Sequence, residues 1–210
     1  MSIYPEIVDI IKQVENLSKS VTHPNSNIEI FNCILAAQLT SKPLNLNFVC
    51  THNSRRSQFS QVWAYTLSHY FGMTELLSYS SGTESTSVYS SVIDSLSNQG
   101  FKTKKLVSSE NPKYSIRISD ELEPLILFSK TISEVRQSEK EFIAIMTCST
   151  ADESCPVVLG ASNRFKMTFE DPKHSDGSIH EGNTYDSKSI EIATTLFHIF
   201  EQVSSKTRQK

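Results

Sequence analysis

The stretch Val49-Cys50-Thr51-His52-Asn53-Ser54-Arg55-Arg56-Ser57 sets a thiol, then five residues, then an arginine and a serine. The alternation Leu44, Leu46, Phe48-Val49 predicts a strand running straight into Cys50. Phe59, Val62, Trp63, Leu67 and Tyr70 predict a helix opening just after Ser54 and closing at Gly72. A loop wrapped onto a helix N-terminus turns its backbone N–H groups inward and suits a tetrahedral oxyanion. Arg56 would add a planar fork able to hold two oxygens at once. A thiol at the base of that cradle would be nucleophilic at neutral pH, and Ser57 could donate to its thiolate. Thr51, His52, Asn53, Ser54 and Arg55 complete the expected oxyanion-binding and thiolate-stabilising loop. Further along, Cys148 and Cys155 are seven residues apart, and Asp171 precedes Pro172.

These residues need a scaffold, and the hydrophobic spacing supplies one. Ile7, Ile10, Ile11, Val14 and Leu17 follow Pro5 at helical intervals, His23-Pro24-Asn25 breaks the chain, and Ile28, Phe31, Leu35 and Leu39 form a second stripe ending before Pro43. Cys33 lies on that second helix as a small hydrophobe. Leu76 to Ser80 reads as a strand, Gly82 to Ser85 as a turn, and Val88 to Leu96 as a helix closed by Gly100. Tyr114 to Ile118 and Leu125 to Phe128 suggest a hairpin, and residues 129–140 a polar surface connection. Phe142 to Met146 is the central parallel strand and feeds into Cys148; Phe165 and Met167 mark a last strand, and Ile190 to Val203 a terminal helix. Strands alternating with helices predict an α/β fold, a doubly wound parallel sheet with helices on both faces. Residues 1–43 form an N-terminal helical extension and 44–210 the catalytic domain.

With 38% hydrophobic residues and a net charge of −3, the chain is neither disordered nor a polyanion-coating protein. Lys102, Lys104 and Lys105 make the only basic cluster, read as a solvated face, so no nucleic-acid partner is expected. No GxGxxG or Walker sequence exists among the six glycines. No run reaches the roughly 18 apolar residues of a bilayer span, and the start MSIYPEIVDI lacks a signal peptide's pattern, which predicts the cytoplasm. Four cysteines are too few for a disulfide scaffold in 210 residues. Six histidines without an HExxH or HxxxH pair argue against zinc, and neither metal nor cofactor is expected.

Cys50 to Ser57 resembles the phosphate loop of the low-molecular-weight protein tyrosine phosphatase superfamily, C-x-x-N-x-x-R-S, at Cys50, Asn53, Arg56 and Ser57. The superfamily's doubly wound fold agrees with the alternation above, and its general acid lies in an Asp-Pro pair near the C-terminus, matched by Asp171-Pro172. Cys148-Ser149-Thr150-Ala151-Asp152-Glu153-Ser154-Cys155-Pro156 is similar to the redox segment of the thioredoxin-coupled arsenate reductases, C-S-x-A-D-x-x-C-P. Ser80-Ser81-Gly82-Thr83-Glu84 resembles that branch's S-A-G-x-E turn, with Ser81 replacing alanine. The resemblance implies arsenate as substrate and a three-cysteine relay from Cys50 to Cys148 to Cys155, with thioredoxin reducing the final Cys148–Cys155 disulfide. A helix cannot bring two cysteines seven apart together, so the segment between them should be a mobile loop or a helix that partly unwinds.

The chain also departs from the pattern. His52 replaces a glycine, so its side chain must point away from the anion or the loop must tilt; Arg55 replaces a frequent second cysteine, and Gln61 stands where some reductases carry a glutamate that helps bind potassium. Leu159 interrupts the C-P-x-x-P-G run, and Asn111 to Glu141 is longer than the family's equivalent. Lys173-His174-Ser175-Asp176-Gly177 lacks the aromatic residues with which phosphatases grip phosphotyrosine. A phosphatase acting through Cys50, Arg56 and Asp171 is the alternative, and an oxyanion-responsive binding module using the N-terminal helices is a third reading.

Overall fold

The site hangs from β1 (Leu44–Cys50), one of the two inner strands of a four-stranded sheet. In the computed structural model, which describes residues 2–21, 27–73, 75–138, 141–155 and 157–208, the strand order is β2-β1-β6-β7 and every pairing is parallel. The other strands are β2 (Leu76–Gly82), β6 (Phe142–Met146) and β7 (Ala161–Lys166). A second sheet, β3 (Lys102–Val107), β4 (Lys113–Arg117) and β5 (Leu125–Leu127), is antiparallel. The helices are α1 (Pro5–Ser18), α2 (Asn27–Leu39), α3 (Arg56–Phe71), α4 (Ser90–Asn98), α5 (Ile132–Ser138), α6 (Ser149–Ser154) and α7 (Glu181–Thr207). His23-Pro24-Asn25 and Pro156 lie outside the described residues.

Successive side chains of a strand point to opposite faces, and here both faces are covered. Leu46, Phe48, Ile143 and Ile145 share one buried cluster with Trp63 of α3 and Phe197 of α7. Phe142, Ala144 and Met146 turn the other way and meet Cys148 and Ala151 of the α6 segment. Ile7, Ile11 and Val14 of α1, with Ile30 and Ile34 of α2, belong to the larger cluster, so the first two helices share the main core.

Three expectations need correction. On α2 the buried residues are Asn27, Ile30, Phe31, Ile34 and Ala37, while Ile28 and Leu39 are exposed. NIEIFNCILAAQL is apolar on most of its circumference, so its spacing does not fix a face. The expected hairpin gains a third strand: Lys102, Lys104 and Lys105 are exposed, as a solvated face requires, but they lie on β3, which pairs with β4. Residues 129–140 are not merely a surface connection: Ser129, Lys130 and Val135 are buried, and α5 lies within the segment. No helix among the described residues is long and apolar enough to cross a membrane.

Candidate functional site

Cys50 ends β1 and Arg56 opens α3, so the intervening loop must reverse the chain within five residues. Asn53 makes this possible by adopting φ 46°, a left-handed conformation that asparagine tolerates better than most side chains. Its side chain then ties the loop together. Asn53 Nδ2 donates to Ser57 Oγ at 2.9 Å, and Ser57 Oγ lies 3.0 Å from Cys50 Sγ. Gln58 Nε2 donates to the Asn53 carbonyl at 2.8 Å. No side chain of the N-cap residue caps the first turn of α3, which leaves its N–H groups for an anion.

The loop closes around a cavity of about 190 Å³ lined by Cys50, Thr51, His52, Ser54, Arg55, Arg56, Thr150, Asp171 and Lys173. Arg56 is buried; its Nη1 donates to the Phe169 carbonyl at 2.9 Å and its Nη2 to Asp171 Oδ2 at 2.5 Å. Its Nε is buried without a partner among the described residues. A buried donor left open is costly. Asp171 also accepts from Lys173 N at 3.1 Å as the cap of a 3₁₀ turn, Pro172–Ser175, which fixes the carboxylate over the cavity.

Two loop residues have partners outside the loop. Arg55 is not a free fork for the anion: Nε donates to the Tyr185 hydroxyl at 2.5 Å, Nη2 to Asp176 at 2.5 Å, and the guanidinium lies 4.2 Å from the Tyr89 ring centre. It therefore contributes charge to the cavity wall while two of its nitrogens are committed to the scaffold. The His52 imidazole faces Glu84 at 3.4 Å, and its carbonyl accepts from Ser129 Oγ.

Cys148 is fully buried at the end of β6, with Sγ 3.5 Å from the hydroxyl of Thr51. It caps α6, its sulfur accepting from Ala151 N at 3.3 Å. Cys155 ends the same helix and is half-buried, and all four cysteines are free thiols. The three thiols of interest thus occupy the tip of β1 and the two ends of α6. Among the described residues no group of three or more His, Cys, Asp or Glu side chains is placed to hold a metal.

Sequence reasoning missed the support under the loop. Lys130 N donates to Asn53 Oδ1 at 2.9 Å, Ser129 Oγ holds the His52 carbonyl, and the Phe128 carbonyl accepts from Gln58. Lys130 is buried, with Nζ 3.4 Å from Ser80 Oγ and from the Phe128 carbonyl and 4.7 Å from the Phe128 ring centre. The available signal was a lone lysine following the apolar run Leu125 to Phe128. Burial pulls its ammonium down to about 8, against the opposing charge of Glu134. The unfolded chain then binds more protons between about pH 8 and 10.4, so this group makes stability rise with pH across that window and is a constant cost below it. Relative to Lys130→Met, wild-type stability should rise by about 3 kcal/mol between pH 7.5 and 10.5, read by urea unfolding of both proteins at each pH. A difference independent of pH would mean Lys130 is not perturbed.

No family profile matches the chain, and no curated protein does. Solved structures do. A low-molecular-weight protein tyrosine phosphatase from T. tengcongensis aligns over 76% of this chain and 99% of its own, at 17% identity and TM-score 0.51. One from Bacillus subtilis covers 79% and 99%, at 15% identity and TM-score 0.50. A thioredoxin-dependent arsenate reductase from Corynebacterium glutamicum covers 85% of this chain and 72% of its own, at 19% identity and TM-score 0.45. At such identities the likeness is one of architecture: with its parallel sheet and helices on both faces, this chain has the fold of the low-molecular-weight protein tyrosine phosphatases.

Proposed function

We propose that this chain is a thiol-dependent arsenate reductase that turns over through Cys50, Cys148 and Cys155. The observation that carries the reading is the Cys148 thiol, buried 3.5 Å from the hydroxyl of Thr51, the residue next to Cys50. Arsenate sits in the cradle with Arg56 and the loop N–H groups on its oxygens. The Cys50 thiolate attacks arsenic, and a protonated Asp171 donates its proton to the oxygen that leaves as water. The Cys148 thiolate then attacks the Cys50 sulfur. The sulfur–arsenic bond breaks with its electron pair going to arsenic, so As(V) becomes As(III) and arsenite leaves while a Cys50–Cys148 disulfide forms. Cys155 attacks Cys148 in turn, which frees Cys50 and leaves a Cys148–Cys155 disulfide for a dithiol protein of the thioredoxin type to reduce.

A phosphatase reading is favoured by one observation, that Cys50, Arg56 and Asp171 line a single cavity and would suffice to cleave a phosphoester. Against an aryl ester, the wall holds no phenyl, phenol or indole ring, and Arg55, Arg56 and Lys173 make it cationic. That lining suits a small, highly charged oxyanion better than phosphotyrosine.

Exposing fully reduced protein to arsenate without air, with phosphate in parallel, separates the two. The relay predicts loss of two thiols and a Cys148–Cys155 disulfide, mapped by mass spectrometry, in the arsenate sample alone. Cys155→Ser should stop at Cys50–Cys148, and Cys148→Ser should form no disulfide. If all four thiols survive arsenate, the reductase reading fails and the phosphatase reading leads.

A further inference from the structure

The segment carrying Cys148 and Cys155 is tied to the neighbouring strand β7, chiefly by Arg164. Arg164 on β7 donates from Nη2 to both the carbonyl and Oδ1 of Asp152, each at 2.6 Å, and from Nε to the carbonyl of Cys155 at 3.1 Å. It therefore binds the middle and the C-terminal end of α6 together. Lys166, two residues along the same strand, reaches the other oxygen of Asp152 at 3.1 Å. Both partners of the central pair are largely buried, at 25% and 14% side-chain exposure, so water screens it less than a surface pair.

This arrangement conflicts with closing the disulfide. Along an α-helix, positions seven apart are separated by about 10 Å. A disulfide needs its two Cα atoms within about 4.4–6.8 Å. Cys148 and Cys155 flank the six residues of α6, so the helix must come undone for the sulfurs to meet. The Cys155 carbonyl and the Asp152 side chain, which have to move relative to each other, are the groups that Arg164 grips.

Building on the relay reading, we propose that Arg164 is a positioning residue whose bridge between Asp152 and Cys155 holds α6 in the dithiol form and must be released before the Cys148–Cys155 disulfide can close. Its contacts stabilise the reduced segment and are lost on oxidation. Removing them shifts the dithiol–disulfide equilibrium towards the disulfide. A role limited to packing β7 would leave that equilibrium where it is.

The test is a redox titration of the full chain carrying Cys33→Ser and Cys50→Ser, so that only Cys148 and Cys155 remain. Graded ratios of oxidised to reduced dithiothreitol set the potential; two protein thiols become one disulfide as one molecule of the oxidised reagent becomes its dithiol. Arg164→Gln should raise the equilibrium constant for disulfide formation about tenfold, equivalent to a potential about 30 mV more negative. Asp152→Asn removes the carboxylate charge that Arg164 grips while leaving its two bonds to the carbonyls of Asp152 and Cys155, so it should shift the constant in the same direction by less than Arg164→Gln, which guards against a local folding defect peculiar to one variant. If the disulfide forms and both variants titrate within twofold of the parent, the proposal is overturned while the relay stands. If no Cys148–Cys155 disulfide forms at any ratio, the relay reading itself fails and takes the proposal with it.

Discussion

Arg56→Lys is expected to weaken oxyanion binding by about 10²–10⁴-fold while leaving the chain folded. The guanidinium already binds two groups of one segment, the Phe169 carbonyl and the Asp171 carboxylate, and keeps a third buried nitrogen open. A lysine carries the same charge but only as a point, with no planar fork to span those positions. Losing two charge-assisted hydrogen bonds of about 1.5–3 kcal/mol each corresponds to that range of affinity. Protection of Cys50 from alkylation by graded phosphate or arsenate measures the constant directly, and unfolding in urea reports on the fold. An affinity within threefold of wild type would show that the anion is held by the loop N–H groups and that Arg56 serves only to tie Asp171 to Phe169. Because Asp171 and a bound oxyanion compete for the same guanidinium, the experiment also bears on the acid. On the proposed mechanism, an anion that takes Arg56 would leave Asp171 free to protonate the leaving oxygen.

The legible part of this site is the part that is local in sequence. Cys50, Asn53, Arg56 and Ser57 lie within one strand-loop-helix turn, and the alternation before Cys50 and the helical spacing after Arg56 locate it without any tertiary information. The central strand Phe142–Met146 is equally plain, because a strand buried on both faces reads as an unbroken apolar run. What the sequence hides is polar and long-range. Ser129 and Lys130 stand 77 residues from the loop atoms they hold, and nothing in their neighbours distinguishes a buried serine from a solvated one. The commitment of Arg55 to Tyr185 and Asp176 is invisible for the same reason, since residue 185 is 130 positions away. Arg164 is a further case, an ordinary basic residue on an outer strand until α6 is laid across it. Hydrophobic periodicity reports which face of an element is buried; it carries no record of which polar groups meet there.

Gly82→Ala should be among the most damaging single-methyl additions in the chain. Gly82 ends β2 opposite Cys50 in the parallel register, at the point where the two strands deliver the loop and its neighbouring turn. Its own N–H donates to the Lys130 carbonyl, and Thr83 N and Glu84 N donate to the carbonyls of Cys50 and Thr51. A Cβ at position 82 would stand 2.2 Å from the Glu84 carbonyl oxygen, 2.6 Å from that of Thr51 and 2.8 Å from Asn53 N. All three are backbone atoms, so no side chain can swing aside and the loop itself must move. Overpacking of this kind typically costs about 1–3 kcal/mol and sometimes more, and three simultaneous backbone clashes place this variant at the upper end. For a chain of this size that is a fall in melting temperature of about 6–12 °C. Gly182, in the first turn of α7 with no atom within 4 Å of where a methyl would stand, gives the reference: alanine there should be neutral or stabilising by up to about 1 kcal/mol. The distinguishing result is functional. Since Thr51 and Asn53 form the cradle, Gly82→Ala should also lose oxyanion protection of Cys50 at temperatures where it remains folded. A variant that is destabilised yet binds phosphate normally would mean that the strain is relieved on the Glu84 side, with the cradle intact.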